Sequence, residues 1–248
     1  MGDAVWSMYD YNRGCCDNIC YSGVADIFRL PKFSLSFFRI QIAEGSMLPS
    51  GKMPYEVFIP AYRDEILSDT VMVYGNVDEV ELVLNGKTIR RQTADKGPDS
   101  DYIPVPNGGN GKNLHFPPFT FYGVPKERGV LEAVGYHQGK KVAEYTVKTP
   151  GVPERLDITY FESGKPATKN DLLIVYVRML DKQGVLCPVN GIPVELSVQG
   201  GEIVGPTSYP LEAGVASFLV RTGEISKINI NATGKGFSTR KSLKVGKE

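Results

Sequence analysis

The sequence predicts a mostly β protein, in which two antiparallel β-sandwiches follow a single strand, a loop and a helix. The 248 residues include 27 Gly, 17 Pro and 13 Tyr, a composition typical of many strands joined by tight turns. From about residue 54 onward, short segments alternate apolar and polar side chains, which is the period of a strand with one buried face. We expect three domains, at residues 1–50, 51–149 and 150–248.

Residues 1–50 contain the main helical pattern of the chain. The stretch DAVWSMY predicts a buried strand, and a long loop separates it from a predicted helix over residues 30–45, with Pro31 near its first turn. One apolar stripe runs along that helix at the spacing i, i+4 and i+7, formed by Phe33, Phe37 and Ile40. One strand, one loop and one helix cannot bury both faces of a sheet. The segment is therefore expected to be one βα unit of a larger parallel assembly.

In residues 51–149, apolar and polar side chains alternate with the period of β-strands. Asn85-Gly86 and Gln138-Gly139 separate alternating segments and predict tight hairpin turns. A single apolar face is expected for the strand that carries Val80, Leu82 and Leu84. About 95 residues of this pattern predict an antiparallel sandwich of immunoglobulin type, interrupted by a polar insertion at 95–113.

A Pro/Gly joint at residues 149–154 precedes the third domain, residues 150–248. This domain repeats the alternation, with turns every eight to twelve residues, and about six strands are expected. The sequence therefore predicts a second sandwich of the same architecture, although the two domains are not close repeats of each other.

The charges exclude two classes of partner. The chain carries 28 basic and 28 acidic residues without a long run of either sign, so neither a nucleic acid nor an anionic membrane surface is an expected partner. No apolar run reaches the roughly 18 residues of a membrane span, and the first residues do not have the pattern of a signal peptide.

Neither a metal nor another cofactor is predicted. A zinc site needs closely spaced cysteine or histidine pairs. The four cysteines and two histidines do not have that spacing: they are Cys15, Cys16, Cys20, Cys187, His115 and His137.

The densest cluster of unusual side chains is the stretch AVWSMYDYNRG at residues 4–14, which holds the only Trp of the chain. Trp6, at the end of a predicted parallel strand, either fills a core or offers its ring for stacking on a sugar. Asp10, Asn12 and Arg13 either bind a ligand or serve as hydrogen-bonding residues of their own loop. Spacing alone leaves both interpretations open.

The order of these segments resembles the C-terminal part of glycoside hydrolase family 2 enzymes, the β-galactosidase-like group. The resemblance rests on residues 4–14, 22–41 and 72–87, on PPFTF and GVLEAVGY, and on the joint TPGVP. It implies that residues 1–50 are the eighth strand, closing loop and last helix of a catalytic (β/α)8 barrel. The two domains that follow then resemble the immunoglobulin-like domains of bacterial members, the second one being of the invasin type.

The resemblance also implies a function. Family 2 enzymes are retaining hydrolases that use two carboxyl groups, and both family glutamates lie on barrel strands before the eighth. The chain would therefore hold no catalytic residue and be inactive alone, with the remainder of the barrel as its partner and a β-galactoside-type carbohydrate as the ligand. Trp6 matches the tryptophan that walls the terminal sugar subsite, and Asp10, Asn12 and Arg13 match the pocket rim. A periplasmic or extracellular location in a bacterium is expected.

The alternative is a non-catalytic surface or carbohydrate-binding protein built of immunoglobulin-like modules. A sugar-binding sandwich needs an exposed aromatic platform. The candidates for such a platform are Tyr102, Phe116, Phe119, Phe121 and Tyr122, although a place in the sandwich core explains the Phe residues more simply. An unpaired parallel strand and an amphipathic helix are not expected in an adhesin, so residues 1–47 discriminate between the two hypotheses.

Overall fold

A computed structural model describes residues 7–12, 19–42, 54–95, 114–161 and 165–246. Nearly half of these residues lie in antiparallel sheets, and one α-helix occurs in the described part of the chain. The predicted mostly β fold is confirmed. The chain forms two compact units, Met1–Thr149 and Pro150–Glu248.

The first unit begins with a strand-like segment, a loop and the helix. A parallel bridge joins Tyr9 to Ala25, and an antiparallel bridge joins Tyr11 to Cys20. The helix, α1, spans Phe33–Ile40 and is shorter than the predicted 30–45 at both described ends. It starts after Lys32, which has extended backbone angles, and Gln41 caps its C-terminus. Ile40 of the predicted apolar stripe is 1% exposed, while Phe33 and Phe37 are half-buried.

The described remainder of the first unit, residues 54–95 and 114–149, forms a sandwich of seven strands. They are β1 (Val57–Phe58), β2 (Val71–Gly75), β3 (Glu79–Leu84), β4 (Lys87–Thr93), β5 (Phe119–Phe121), β6 (Val130–His137) and β7 (Lys140–Lys148). One sheet has the order β1-β2-β5 and the other has the order β4-β3-β6-β7. Val80, Leu82 and Leu84 of β3 are buried between them, as their alternation predicts.

Both predicted hairpin turns are present. Asn85 and Gly86 have φ angles of 52° and 76° between β3 and β4, and Gln138 and Gly139 have 49° and 74° between β6 and β7. A turn with two successive positive φ angles has a backbone twist that matches the right-handed twist of the strands it joins. Glycine adopts positive φ without steric strain, which explains why it occupies the second position of each turn.

The second unit has eight strands within residues 150–161 and 165–246. They are β8 (Arg155–Tyr160), β9 (Leu172–Leu180), β10 (Pro193–Gln199), β11 (Gly201–Ile203), β12 (Ser208–Pro210), β13 (Val215–Thr222), β14 (Lys227–Gly234) and β15 (Phe237–Lys244). Its two sheets have the orders β11-β13-β9-β8 and β12-β10-β14-β15. The expected number of about six was too low because β11 and β12 have three residues each, too few to show an alternating period. The core contains Val175, Val177, Phe218, Ile228 and Ile230.

The five aromatic residues considered for a sugar-binding platform do not form a common exposed surface, because two of them are buried. Phe119 and Phe121 of β5 are completely buried in the core of the first unit, so neither ring can face a ligand. Phe116 is half-buried and Tyr122 is 40% exposed, while Tyr102 lies outside the described residues.

Several other predictions also concern residues that the structure does not describe, namely those on Trp6, Arg13, Cys15, Cys16 and most of the insertion at 95–113. Over the described ranges, no helix has the length and apolar character needed to cross a membrane.

Candidate functional site

Asp10 is the best-defined member of the predicted site. Its side chain is 3% exposed, and its Oδ1 atom accepts hydrogen bonds from the backbone N–H of Gly23 at 2.9 Å and from Nζ of Lys32 at 2.7 Å. Its own N–H donates to the carbonyl of Ala25 at 3.0 Å. Asp10 thus joins the first strand-like segment to the returning loop and to the start of α1. This arrangement corresponds to a loop-forming role for the carboxylate.

Lys32 and Gly23 complete this arrangement, and neither was identified from the sequence. Besides Asp10, Nζ of Lys32 reaches the carbonyl of Tyr21 at 3.1 Å. Gly23 lies directly against the backbone of Tyr9 and Asp10, where a Cβ atom would collide with both residues. The only local signal was the position of Lys32 immediately after Pro31 and before the helix, which does not reveal a partner 22 residues earlier.

Asn12 is exposed. Trp6 and Arg13 lie outside the described residues, so the structure describes Asp10 and Asn12 of the four predicted site residues, and no contact joins these two side chains among the hydrogen bonds of Asp10 given above. Their role in carbohydrate binding stays a prediction.

Polar contacts fasten α1 to the sandwich of the first unit. The side chain of Gln41 donates to the carbonyl of Phe116 at 2.7 Å and accepts from the N–H of the same residue at 3.0 Å, so it pairs with that backbone as a neighbouring strand would. Arg39 contacts the carboxylate of Glu56 through Nε at 2.9 Å and Nη2 at 2.5 Å. Because Arg39 is more than half exposed, this ion pair contributes orientation more than stability.

Aromatic contacts extend the same attachment. The ring centroids of Phe37 and Tyr74 are 5.2 Å apart in an edge-to-face arrangement, and those of Phe33 and Tyr62 are 5.0 Å apart. Phe58 stacks on the other side of Tyr74 at 5.4 Å. Such pairs contribute about 0.5–1.5 kcal/mol each beyond the area they bury. The apolar stripe of the helix therefore faces the β1-β2-β5 sheet.

The outer face of the other sheet carries a charged network. Glu81 accepts hydrogen bonds from the hydroxyls of Thr88 and Tyr136, both at 2.7 Å, and these bonds lower the pKa of Glu81. The same carboxylate raises the pKa of Tyr136, whose ring lies 3.7 Å from the guanidinium carbon of Arg91. The hydrogen bonds of this network join β3 to β4 through Thr88 and to β6 through Tyr136, so they stabilise the sheet surface.

Within the ranges that the structure covers, no group of three His, Cys, Asp or Glu side chains is arranged to hold a metal ion.

Comparison with known proteins gives three kinds of similarity. Residues 68–143 match the family described as "Domain of unknown function (DUF4982)". The chain is 32% identical over 237 residues to a β-galactosidase of Thermoanaerobacter pseudethanolicus, a match that covers 89% of this chain and 30% of that protein. It is also 30% identical over 112 residues to a β-galactosidase of Rhizobium radiobacter, covering 44% of this chain and 81% of that sequence.

Two solved structures have the same fold. A β-glycosidase of Bacteroides vulgatus superposes with a TM-score of 0.74 at 17% identity, over 97% of this chain and 30% of the other. A β-glucuronidase from glycoside hydrolase family 2 superposes with a TM-score of 0.70 at 21% identity, over 92% of this chain and 23% of the other. The chain therefore spans less than a third of the length of these two proteins and of the Thermoanaerobacter relative.

Proposed function

Because this chain belongs to glycoside hydrolase family 2, as part of the C-terminal region of its β-galactosidase-like members, we propose that it is the accessory region of a longer retaining glycosidase. Its substrates are β-galactoside-type carbohydrates. The two catalytic glutamates lie in the other part of the longer protein, and this chain supplies none of the groups that react.

One observation carries the proposal: side chains of α1 and of Gln41 attach the segment of residues 7–42 to the sandwich. Gln41 pairs with the backbone of Phe116, and the aromatic stripe of α1 contacts Tyr62 and Tyr74. A βα unit at the end of a barrel needs such an anchor, since it has few contacts of its own. The sandwich therefore holds the last βα unit of the catalytic barrel in place.

The same proposal assigns roles to the predicted site residues. Trp6 walls the subsite of the terminal sugar, because the apolar face of an indole fits the C–H groups of a sugar ring. Asn12 and Arg13 border that subsite. Asp10, engaged by Gly23 and Lys32, holds the loop that carries them in place. The longer protein acts in the periplasm or outside the cell, where polymeric and oligomeric carbohydrates are accessible.

The test is the activity of the longer protein that contains this chain. Aryl β-galactosides, aryl α-galactosides and aryl β-glucuronides are compared at equal concentration, and the anomer released first is followed by NMR. The proposal predicts hydrolysis of the β-galactoside with initial release of the β-anomer, since a retaining mechanism uses two displacements. Initial release of the α-anomer would contradict retention, and preferential hydrolysis of the β-glucuronide would contradict the assigned substrate class.

A further inference from the structure

The loop between β1 and β2, residues 59–70, encloses a cleft on the first unit. Its volume is about 340 Å³, within the size range of sites for small molecules. Aliphatic residues line much of it: Leu67 is exposed, while Ile59, Val71 and Leu131 are almost completely buried. A cleft of this size and character accommodates a ligand of about one ring, provided that a polar group orients it.

Arg63 is the cationic side chain that lines this cleft. The residue is 6% exposed and has a φ angle of 57°, in the left-handed region that non-glycine residues rarely adopt. Backbone strain of this kind persists where the surrounding structure enforces it, and it is found disproportionately at ligand sites. The fold therefore holds a charged group in an unfavourable conformation at the wall of a cleft.

The guanidinium of Arg63 has few partners. Nη2 donates to the carbonyl of Glu127 at 2.7 Å, and Nε is completely buried without a hydrogen-bond partner. No carboxylate of the described residues forms an ion pair with it, although Asp64 and Glu65 also line the cleft. Burial lowers the pKa of Arg63, yet a guanidinium stays protonated at neutral pH. A buried charge with one neutral acceptor is costly unless an anion neutralises it.

Tyr62 supplies a second recognition element beside Arg63. Its side chain is 54% exposed, lines the cleft, and is packed against the ring of Phe33 at 5.0 Å. The contact with Phe33 fixes the orientation of the Tyr62 ring before any ligand arrives. An aromatic face next to a cation suits a ligand that combines a ring with a negative charge.

From these contacts we infer that the cleft formed by residues 59–72 binds a small organic carboxylate. The carboxylate accepts charge-assisted hydrogen bonds from the Arg63 guanidinium, and the body of the ligand packs against Tyr62 and the aliphatic wall. Two sources share this chemistry, an acidic monosaccharide and an aromatic carboxylic acid. The inference concerns a binding site and does not depend on the proposed glycosidase activity.

The test uses the ¹⁵N-labelled 248-residue chain and two matched pairs of probes. Galacturonate is compared with galactose, and benzoate with benzyl alcohol, so that each pair differs mainly in the carboxylate. Binding is followed through the amide chemical shifts of residues 59–72 at low and high salt. The variant Arg63→Gln removes the charge, and Arg90→Gln removes an equal charge from an exposed position of β4 as the control.

The inference predicts that at least one carboxylate shifts the amides of residues 59–72 while its neutral counterpart does not. Arg63→Gln should weaken that binding about tenfold or more, whereas Arg90→Gln should leave it within about twofold. If Arg63→Gln does not fold, two other measurements test the inference. Binding of the carboxylate to the unmodified chain should weaken at high salt, and binding to Tyr62→Ala should be weaker than to the unmodified chain. Equal shifts from acid and neutral probes, shifts confined to other residues, or no shifts at all would overturn the inference.

Discussion

At the scale of single residues, Asp10 connects three parts of the chain that are distant in sequence. Its buried carboxylate contacts the N–H of Gly23 and Nζ of Lys32, 13 and 22 residues away. Removing Lys32 leaves the Asp10 carboxylate buried and incompletely paired, which costs more than the interaction itself contributes. Asp10 and Lys32 are therefore expected to behave as a unit.

Lys32→Met should destabilise the segment of residues 7–32 by about 1–3 kcal/mol, because it leaves the Asp10 carboxylate with the Gly23 N–H as its main partner. The measurement is hydrogen exchange at the amides of Val24 and Ala25, which bond to Ser7 and Met8. Lys87→Met, at an exposed position of β4, is the matched control. Combining Lys32→Met with Asp10→Asn should restore part of the protection; unchanged exchange in Lys32→Met would show that the pair does not hold the loop.

Asp181 plays a comparable part in the second unit. The residue is 1% exposed and follows β9, and its carboxylate accepts the N–H groups of Gly151 at 2.7 Å and Val185 at 2.8 Å. The bond from Gly151, followed by those from the turn itself, lowers the pKa of Asp181. Folding thus favours the charged form of this side chain.

The pH dependence of the second unit follows from the sign of this shift. A carboxylate with a folded pKa below its unfolded value, about 3.9, stabilises the fold fully above that value and loses its contribution as pH falls through the folded pKa. Asp181→Asn should therefore lower the thermal midpoint of the second unit at pH 7, and the difference from the unmodified protein should shrink toward pH 3. Glu195→Gln, on the exposed side of β10, should show no such converging difference. A difference that is constant with pH would contradict the role of the charge.

At the scale of elements, the side chain of Asn85 joins the turn of the β3–β4 hairpin to the residues that begin β6. Oδ1 of Asn85 accepts from the N–H of Val130 at 2.9 Å, and Nδ2 donates to the carbonyl of Arg128 at 3.1 Å. Gly129 lies against this amide, where a Cβ atom would collide with Oδ1. The turn residue therefore also positions the start of β6.

Asn85→Ala should cost about 1–3 kcal/mol, since it removes both bonds and leaves two backbone groups without these partners. Gln138→Ala provides the comparison, because Gln138 occupies the same position of the β6–β7 turn with a similar φ angle. The free energy of unfolding of each variant is measured in urea. The difference between the two losses gives the contribution of the Asn85 side-chain hydrogen bonds, because both variants place Ala at a position with positive φ. Equal losses would mean that the turn conformation alone sets the requirement for Asn85.

The elements that the sequence predicted well are those with a strong local signal. The hairpins at Asn85-Gly86 and Gln138-Gly139 combine a turn sequence with alternation on both sides, and α1 has a regular apolar stripe. The strands β11 and β12 have three residues each and form by pairing with β13 and β10. Three residues are too few for a local sequence pattern to predict a strand. Phe119 and Phe121 were ambiguous for the same reason, because an isolated aromatic segment fits both a core strand and a surface platform.

At the scale of the whole molecule, each unit has a hydrophobic core of its own, one around Val80, Leu82 and Phe119 and the other around Val175 and Phe218. The sequence predicted both sandwiches, because their cores arise from period-two patterns that continue over many residues. It identified the segment that contains Asp10 but not the partners of Asp10. Lys32 and Gly23 meet Asp10 only through the path of the loop, and no spacing rule encodes that path.

The same limit applies to Arg63. In the sequence it is one charged residue among several in a polar loop, and only the fold shows that it is buried, strained and adjacent to a cleft. Family membership, in contrast, follows from the order of segments along the chain together with the similarity to β-galactosidases. The proposed function therefore rests on the whole chain, and the proposed cleft rests on local geometry.

The most direct test of the central proposal is a comparison of hydrolysis by the purified 248-residue chain and by the longer protein, on the same aryl β-galactoside. If the nucleophile and the proton donor both lie outside the chain, as proposed, the longer protein turns the substrate over and the chain gives no turnover above the enzyme-free control. Turnover that copurifies with the chain through successive columns would contradict the account.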